Sequence, residues 1–158
     1  MARALIVGCG RVGTELGLGL AEDGWAVRGT SRSEEGAARI EAAGLEGVVA
    51  EPDRVGTVLE HVGDVAVVAW ALGEATGPKA RDVNGPRLER ILERLVDTPV
   101  RGFVLDAPRD SAEAVGLVEM ATRTWRLPSR VVEAPRSGAG EWVAAMRAAV
   151  NGLISADL

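Results

Sequence analysis

Short apolar runs alternate with amphipathic stretches along the chain, and this alternation predicts its secondary structure. Most of the runs are apolar throughout rather than at every second residue, which is typical of strands covered on both faces of a parallel sheet. The runs cover residues 3–8, 25–30, 45–50, 64–71, 100–106 and 129–134. Because these strands alternate with helices, we expect an α/β fold with a doubly wound, mainly parallel six-stranded sheet.

The segments between the strands carry apolar residues at helical spacing. The first predicted helix runs from about Val12 to Glu22. Ser33 is the expected cap of the second helix, and Asp110 and Glu113 have the spacing of a capping box before the fifth. Pro86 directly precedes the fourth helical pattern, "RLERILERLVD", and a residue without an N–H there is expected to kink or restart a helix that arrives from the preceding residues.

The composition fits one soluble domain and excludes several classes of protein. The chain has 158 residues with no internal boundary, so we expect a single domain over residues 1–158. A net charge of −5 with scattered arginines argues against nucleic-acid binding. One cysteine and one histidine exclude an internal disulfide and leave few ligands, so we expect no metal site. Without a membrane span or a secretory signal, a cytoplasmic protein with no membrane partner is expected.

Three glycines follow the first predicted strand in the pattern G-x-G-x-x-G: Gly8, Gly10 and Gly13. They permit a tight turn, a close approach of the backbone to a pyrophosphate, and close packing of the next helix on the sheet. That helix offers free N–H groups to a phosphate. The strand–turn–helix setting therefore predicts dinucleotide binding in a Rossmann fold; an S-adenosylmethionine site and an unliganded turn are the alternatives. Cys9 is either a redox-sensitive thiol with a lowered pKa or a small residue in a crowded turn.

The end of the second strand distinguishes NADP(H) from NAD(H). An acid there would bind the ribose 2′-hydroxyl of NAD(H), but the sequence has Thr30, Ser31 and Arg32. Hydroxyls and a guanidinium suit a 2′-phosphate, which no carboxylate would repel. Arg11, inside the turn, adds positive charge. We therefore expect NADP(H) rather than NAD(H), and a solvated loop arginine is the alternative interpretation of Arg32.

The stretch "GCGRVGTELGLGLAEDGWAVRGTSRS", residues 8–33, resembles the extended and atypical short-chain dehydrogenase/reductases, the NAD-dependent epimerase/dehydratase superfamily. The segments "DVAVVAWA", "DVNGPRLERILERL", "VRGFVLDAP" and "SRVVEAPRSG" resemble later elements of that family in pattern. The resemblance implies four groups of residues around a dinucleotide. They are Gly8, Cys9, Gly10, Arg11, Val12 and Gly13 at the pyrophosphate; Thr30, Ser31 and Arg32 at the adenosine phosphate; Pro52 and Asp53 near the adenine; and Ala69, Trp70 and Ala71 near the nicotinamide-side ribose.

The catalytic groups of that family have no counterpart in this sequence. Its enzymes pass a proton through a tyrosine four residues before a lysine, whereas this chain has no tyrosine and its one lysine is Lys79. Ala107 or Pro108 replaces the usual serine or threonine after the fifth strand, and the family's C-terminal substrate region is expected to be missing. Asp106 remains as a candidate acid or base if burial raises its pKa, although "DAPRD" also fits an ordinary turn.

Three functions are compatible with these features. The first is an NADP(H)-binding or regulatory module without the usual catalytic residues. The second is an NADP-dependent oxidoreductase or epimerase-like enzyme that uses Asp106, with a pocket shared between subunits. The third is a nucleotide-binding regulatory domain of a transport system, although such domains usually keep an acid where this chain has Thr30. The resemblance also implies a homodimer through the helices at about 80–96 and 111–126, but the stripe from Leu88 to Val96 would equally cover the sheet.

Overall fold

Six strands form one sheet in the computed structural model, which describes residues 1–135 and 137–155. The strands are β1 (Arg3–Val7), β2 (Ala26–Ser31), β3 (Glu46–Val49), β4 (Val67–Trp70), β5 (Gly102–Asp106) and β6 (Ser129–Val132). Their order is β3-β2-β1-β4-β5-β6, and each neighbouring pair is parallel. The predicted doubly wound α/β sheet is therefore confirmed. The strand order reverses between β1 and β4, and folds of this kind bind ligands at the carboxyl ends of those two strands.

Helices lie between the strands, as the pattern predicts. They are α1 (Arg11–Glu22), α2 (Glu34–Ala42), α3 (Val55–Leu59), α4 (Pro78–Val83), α5 (Pro86–Leu95), α6 (Ala112–Trp125) and α7 (Ala139–Ser155). Ser33 caps α2, since its hydroxyl accepts a hydrogen bond from the Gly36 N–H at 3.0 Å. The prediction of a capping box at Asp110 and Glu113 is wrong. The N-cap residue of α6 is Ser111, and its side chain makes no capping hydrogen bond.

Pro86 begins α5 after α4 has ended, which confirms the predicted restart. It occupies the first turn of α5, where a missing N–H removes no helical hydrogen bond. The break itself is tightly packed, since a Cβ at Gly85 would lie 2.8 Å from the carbonyl oxygen of Arg81. Asn84 donates a hydrogen bond to the Leu72 carbonyl at 3.0 Å. The break between α4 and α5 is thereby joined to the loop that follows β4.

The leucine-rich stripe of α5 lies against the chain's own sheet. Leu88, Ile91, Leu92 and Leu95 are at most 1% exposed, and they pack in one cluster with core residues of β4 and β5. At the end of the stripe, Val96 is exposed. The stripe is therefore not available for pairing two copies, and the homodimer stays a prediction.

Helices α1 and α7 pack on the opposite face of the sheet and are joined by a polar contact. Asp23, at the end of α1, accepts hydrogen bonds from Arg147 Nε at 2.6 Å and Nη2 at 2.8 Å. Asn151 donates to the same carboxylate at 2.9 Å. These contacts join positions 124 residues apart in the chain. They fix α7 against the helix that begins at the glycine turn.

Charged side chains link three strands toward the amino-terminal edge of the sheet. Arg28 of β2 donates to Glu46 of β3, and to Asp64 in the segment before β4 at 2.7 Å. Arg3 of β1 donates to the same Asp64 at 2.6 Å. These hydrogen bonds lower the pKa values of Glu46 and Asp64. The ionic contacts at this edge hold strands together, opposite the edge where α/β sheets bind ligands.

Candidate functional site

A cleft of about 500 Å³ opens at the carboxyl ends of the strands, where their order reverses. It brings together four separate parts of the chain that the sequence assigns to one site. Its lining includes Gly8 and Cys9 after β1, Thr30, Ser31 and Arg32 at the end of β2, Pro52 and Asp53 after β3, and Ala71 and Leu72 after β4. The fold thus places the glycine turn and the Thr-Ser-Arg segment on one cavity.

The glycine turn has the close approaches that its pattern predicts. Gly8 has a φ of +86°, and a Cβ there would lie 2.6 Å from a Leu72 methyl carbon and 2.9 Å from the Ala71 carbonyl oxygen. A Cβ on Gly13 would lie 3.2 Å from the Gly8 carbonyl oxygen, so this glycine lets α1 pack closely. A Cβ on Gly10 would meet nothing within 4 Å. Gly8 and Gly13 are therefore explained by packing within the protein, whereas Gly10 is not.

The first turn of α1 carries backbone N–H groups without acceptors inside the helix. The helical hydrogen bonds begin with the Thr14 N–H, which donates to the Gly10 carbonyl at 2.8 Å. The N–H groups of Arg11, Val12 and Gly13 precede it, and an α-helix leaves such groups unpaired internally. The N-cap residue is Gly10, which supplies no capping side chain. These residues do not line the cleft, but they continue directly from Gly8 and Cys9, which do.

Thr30 connects the end of β2 to the glycine turn. It is 1% exposed, and its hydroxyl accepts a hydrogen bond from the Gly8 N–H at 3.2 Å. Its carbonyl accepts another from the Cys9 N–H at 2.9 Å. Ser31 and Arg32 follow toward solvent; in the described part of the chain, the exposed Arg32 guanidinium forms no hydrogen bond or ion pair. The polar groups best placed for a ligand at this end of the cleft are therefore those of Ser31 and Arg32.

Cys9 fills the space between the turn and β2. Its side chain is buried, and a Cβ on Gly29 would lie 2.6 Å from the Cys9 sulfur. Burial raises the pKa of the thiol, and the contact with the Thr14 hydroxyl only partly opposes this. The structure therefore contradicts a lowered thiol pKa at the helix N-terminus and places Cys9 as a small packing residue.

An ion pair spans the cleft at the end predicted for the adenine. Lys79 Nζ lies 3.1 Å from Asp53 Oδ2, and both residues line the cleft. The hydrogen bond from Lys79 lowers the pKa of the Asp53 carboxyl. The sequence does not reveal that Lys79 lines the cleft, because nothing in its local pattern shows that the first turn of α4 faces the loop after β3.

Trp70 and Ala69 lie in the core rather than at the cleft, contrary to the expectation from the resemblance. The Trp70 side chain is fully buried, donates to the Val83 carbonyl at 3.0 Å, and packs against Phe103 with ring centroids 6.2 Å apart. Ala69 belongs to the hydrophobic cluster on the opposite face of the sheet. Successive strand side chains point to opposite faces, so these two enter the two cores. Ala71, beyond the strand end, reaches the cleft.

A second cavity of about 860 Å³ adjoins the cleft at the carboxyl ends of β5 and β6. The two cavities share residues 74–76. Asp106, at the end of β5, lies in the wall of the second cavity and is 3% exposed. One carboxylate oxygen accepts a hydrogen bond from the Gly73 N–H at 2.9 Å, and the other from the Trp142 indole N–H at 3.0 Å. The carboxylate is therefore held in one orientation between the loop after β4 and α7.

Neither a metal-binding cluster nor a membrane-spanning helix is found among the residues that the structure describes. Across 1–135 and 137–155, no group of His, Cys, Asp and Glu side chains is arranged to hold a metal ion. In those two ranges, none of the helices combines the length and the hydropathy needed to cross a membrane.

Comparison with known proteins gives matches at the level of structure. No protein-family model and no curated protein sequence matches this chain. WbmH from Bordetella bronchiseptica, solved with NAD+, is similar with a TM-score of 0.69 at 16% identity, over 98% of this chain and 73% of that chain. UDP-glucuronic acid 4-epimerase from Bacillus cereus, solved with NAD, is similar with a TM-score of 0.64 at 13% identity. The match covers 82% of this chain and 55% of that chain.

The yeast methylglyoxal/isovaleraldehyde reductase Gre2, solved with NADPH, is similar with a TM-score of 0.64 at 15% identity, over 83% of this chain and 53% of that chain. This chain therefore spans about half the length of the epimerase and reductase chains that it matches, 55% and 53%. At these identities the similarity establishes a shared fold, that of proteins solved with nicotinamide dinucleotides.

Proposed function

We propose that this chain binds NADP(H) in the cleft at the ends of β1 and β4, as a relative of the short-chain dehydrogenase/reductases of the NAD-dependent epimerase/dehydratase superfamily. One observation carries the proposal. The first two residues of the glycine turn, Gly8 and Cys9, line a single cavity with the distant Ser31–Arg32 segment at the point where the strand order reverses.

The pyrophosphate is assigned to the first turn of α1. The N–H groups of Arg11, Val12 and Gly13 have no acceptor inside the helix, and the positive end of the helix dipole favours an anion there. A Cβ on Gly10 would meet no protein atom within 4 Å, and this open space suits a close approach of phosphate to the backbone. The adenosine 2′-phosphate is assigned to Arg32 and Ser31, and the adenine to the neighbourhood of Pro52 and Asp53.

The charges around the adenosine end support NADP(H) over NAD(H). Thr30 replaces the acid that would bind a free 2′-hydroxyl, and its own hydroxyl is engaged by the Gly8 N–H. Asp53 lies at this end of the cleft, but Lys79 pairs with it. Among the described residues, no carboxylate forms an ion pair with Arg32. Its positive charge is therefore available to bind a phosphate dianion.

The same site is proposed to bind the cofactor without the usual proton relay of the family. Residues 1–158 contain no tyrosine, so they do not supply the tyrosine of a tyrosine–lysine pair. A second candidate function, an NADP-dependent oxidoreductase or epimerase-like enzyme, is favoured by one observation. The second cavity, of about 860 Å³, adjoins the cleft and has the buried carboxylate of Asp106 in its wall.

Calorimetric titration with NADPH and with NADH tests the proposal. We expect NADPH to bind more tightly, and Arg32→Ala to weaken NADPH about tenfold while leaving NADH unchanged, because a charge-assisted contact to the 2′-phosphate is lost. Arg39→Ala is the matched control, since Arg39 is exposed on α2 and does not line the cleft. Equal affinities for both cofactors, unchanged in Arg32→Ala, would refute the NADP(H) assignment.

An assay of NADPH oxidation separates the two candidate functions. A binding module should show no turnover with carbonyl compounds or sugar nucleotides. Turnover that is abolished in Asp106→Asn at a saturating concentration of NADPH would instead establish the enzyme.

A further inference from the structure

A single loop forms the wall between the two cavities. This wall loop, residues 71–77, follows β4, and its residues 74–76 line both the cleft and the second cavity. Its position therefore decides how wide the passage between the cavities is. Hydrogen bonds hold the wall loop at its start: the Ala71 N–H donates to the Val7 carbonyl at 2.9 Å, and Leu72 and Gly73 make further contacts.

The contact at Gly73 is with Asp106 of β5. The Gly73 N–H donates to one carboxylate oxygen at 2.9 Å. A Cβ at Gly73 would lie 2.7 Å from the Asp106 carbonyl oxygen and 2.8 Å from its carboxyl carbon. Real Cβ atoms do not approach other heavy atoms so closely, so the wall loop lies too near to β5 for any residue with a side chain at position 73.

The other side of the carboxylate is fixed as well. The Trp142 indole N–H donates to the second carboxylate oxygen at 3.0 Å, and Trp142 is fully buried in α7. Leu72 is held separately, through the hydrogen bond from Asn84 to its carbonyl. Asp106 thus joins the wall loop to α7, and the orientation of its carboxylate is set from two directions.

We propose that Asp106 is a positioning residue that fixes the wall loop and so sets the passage through which a dinucleotide extends from the cleft into the second cavity. The inference rests on the proposed function, because it assumes that a dinucleotide binds. It assigns Asp106 an effect on the nicotinamide half of the cofactor. The adenosine half is assigned to Ser31 at the end of β2, Arg32 just after it and Asp53 after β3, none of which belongs to the wall loop.

Two ligands of different length test the proposal. NADPH spans both cavities, whereas adenosine 2′,5′-bisphosphate carries only the adenosine half and its phosphates. Asp106→Asn keeps the shape of the side chain but turns an NH₂ group toward the N–H of either Gly73 or Trp142, which breaks that contact. We expect the Kd for NADPH to rise about tenfold and the Kd for the bisphosphate to change by less than about twofold.

Two further variants keep the test decisive. Gly73→Ala leaves the carboxylate intact but forces the wall loop away from it, so the same selective loss of NADPH affinity is expected, even if Asp106→Asn fails to fold. Asp110→Asn, an exposed change in the next segment, should alter neither Kd. Circular dichroism and thermal melting establish that each variant is folded.

The outcomes separate this inference from the proposed function. If the wild-type protein binds neither ligand, the proposed function fails. If it binds both, and the folded variants at positions 106 and 73 weaken both ligands equally or weaken neither, the positioning role of Asp106 is overturned. A general loss of stability would lower both affinities together, whereas a displaced wall loop changes their ratio.

Discussion

The Thr30 hydroxyl accepts a hydrogen bond from the Gly8 N–H at 3.2 Å, so the end of β2 supports the turn at the end of β1. The position that in related folds carries an acid for the ribose therefore carries a neutral group that holds the glycine turn. A threonine at this position instead of an acid has two effects. Its hydroxyl stabilises the glycine turn, and position 30 carries no negative charge near Arg32. The stability of the turn and the proposed cofactor preference are thus joined at one residue.

Thr30→Val should lower the free energy of unfolding by about 1–2 kcal/mol, because valine has the shape of threonine but leaves the Gly8 N–H without its acceptor. Thr30→Ser keeps the hydroxyl and should remain closer to the wild type. Urea unfolding of the three proteins measures the difference. A valine variant as stable as the serine variant would mean that the hydrogen bond contributes nothing.

Gly8→Ala and Gly10→Ala should separate stability from binding within one turn. Alanine at position 8 meets a left-handed φ of +86° and a contact of 2.6 Å, so we expect a loss of at least about 2 kcal/mol in the free energy of unfolding. Alanine at position 10 meets nothing within 4 Å, so its melting temperature should match the wild type while NADPH binding weakens. Unchanged NADPH affinity in Gly10→Ala would place the pyrophosphate elsewhere.

Asp23 should make stability fall in acid. Hydrogen bonds from Arg147, and then from Asn151, lower its pKa from 3.8 to about 2. Because the folded-state pKa lies below the unfolded one, the stabilisation is complete above the unfolded value and is lost as the pH falls from 3.8 toward 2. Asp23→Asn should therefore flatten this part of the pH dependence in thermal melts. Asp97→Asn, an exposed change, is the control and should retain the wild-type slope.

Arg126→Gly should stabilise the protein. Arg126 ends α6 with a φ of 56°, a left-handed conformation that glycine adopts without strain. Relief of that strain is worth up to about 1 kcal/mol after the added flexibility of the unfolded chain is subtracted. Differential scanning calorimetry should show a higher melting temperature, and a lower one would contradict the argument.

Much of the fold follows from local sequence. The central strands β1, β4 and β5 are buried along almost their whole length, so their apolar runs show little alternation. The strands β2, β3 and β6 are only partly buried, and their apolar runs were still visible in the sequence. Ser33 and Pro86 likewise act on their own neighbours in the chain, through a cap and a missing N–H, and both predictions are confirmed. The capping box at Asp110 failed because two residues with the right spacing do not decide which residue begins the helix.

The candidate site depends on contacts between distant parts of the chain, and these were only partly predictable. The glycine turn and Arg32 come from local motifs; Gly8 and Cys9 line the cleft together with Arg32, whereas residues 10–13 do not line it. Trp70 was misplaced, because similarity to a family gives the position along β4 but not the face to which the side chain points. The pairs Asp53–Lys79 and Gly73–Asp106 each join two loops across the carboxyl edge of the sheet, and no local pattern reports which loops meet there.

The contact between Asp23 and Arg147 has a consequence for how the protein is made. The ribosome synthesises β1, the glycine turn and α1 early, but α7, which covers α1, emerges 124 residues later. Until then the apolar face shared by these two helices stays uncovered on the nascent chain, open to chaperones or to misfolding. A dinucleotide that binds the folded domain therefore stabilises it only after α7 has been synthesised.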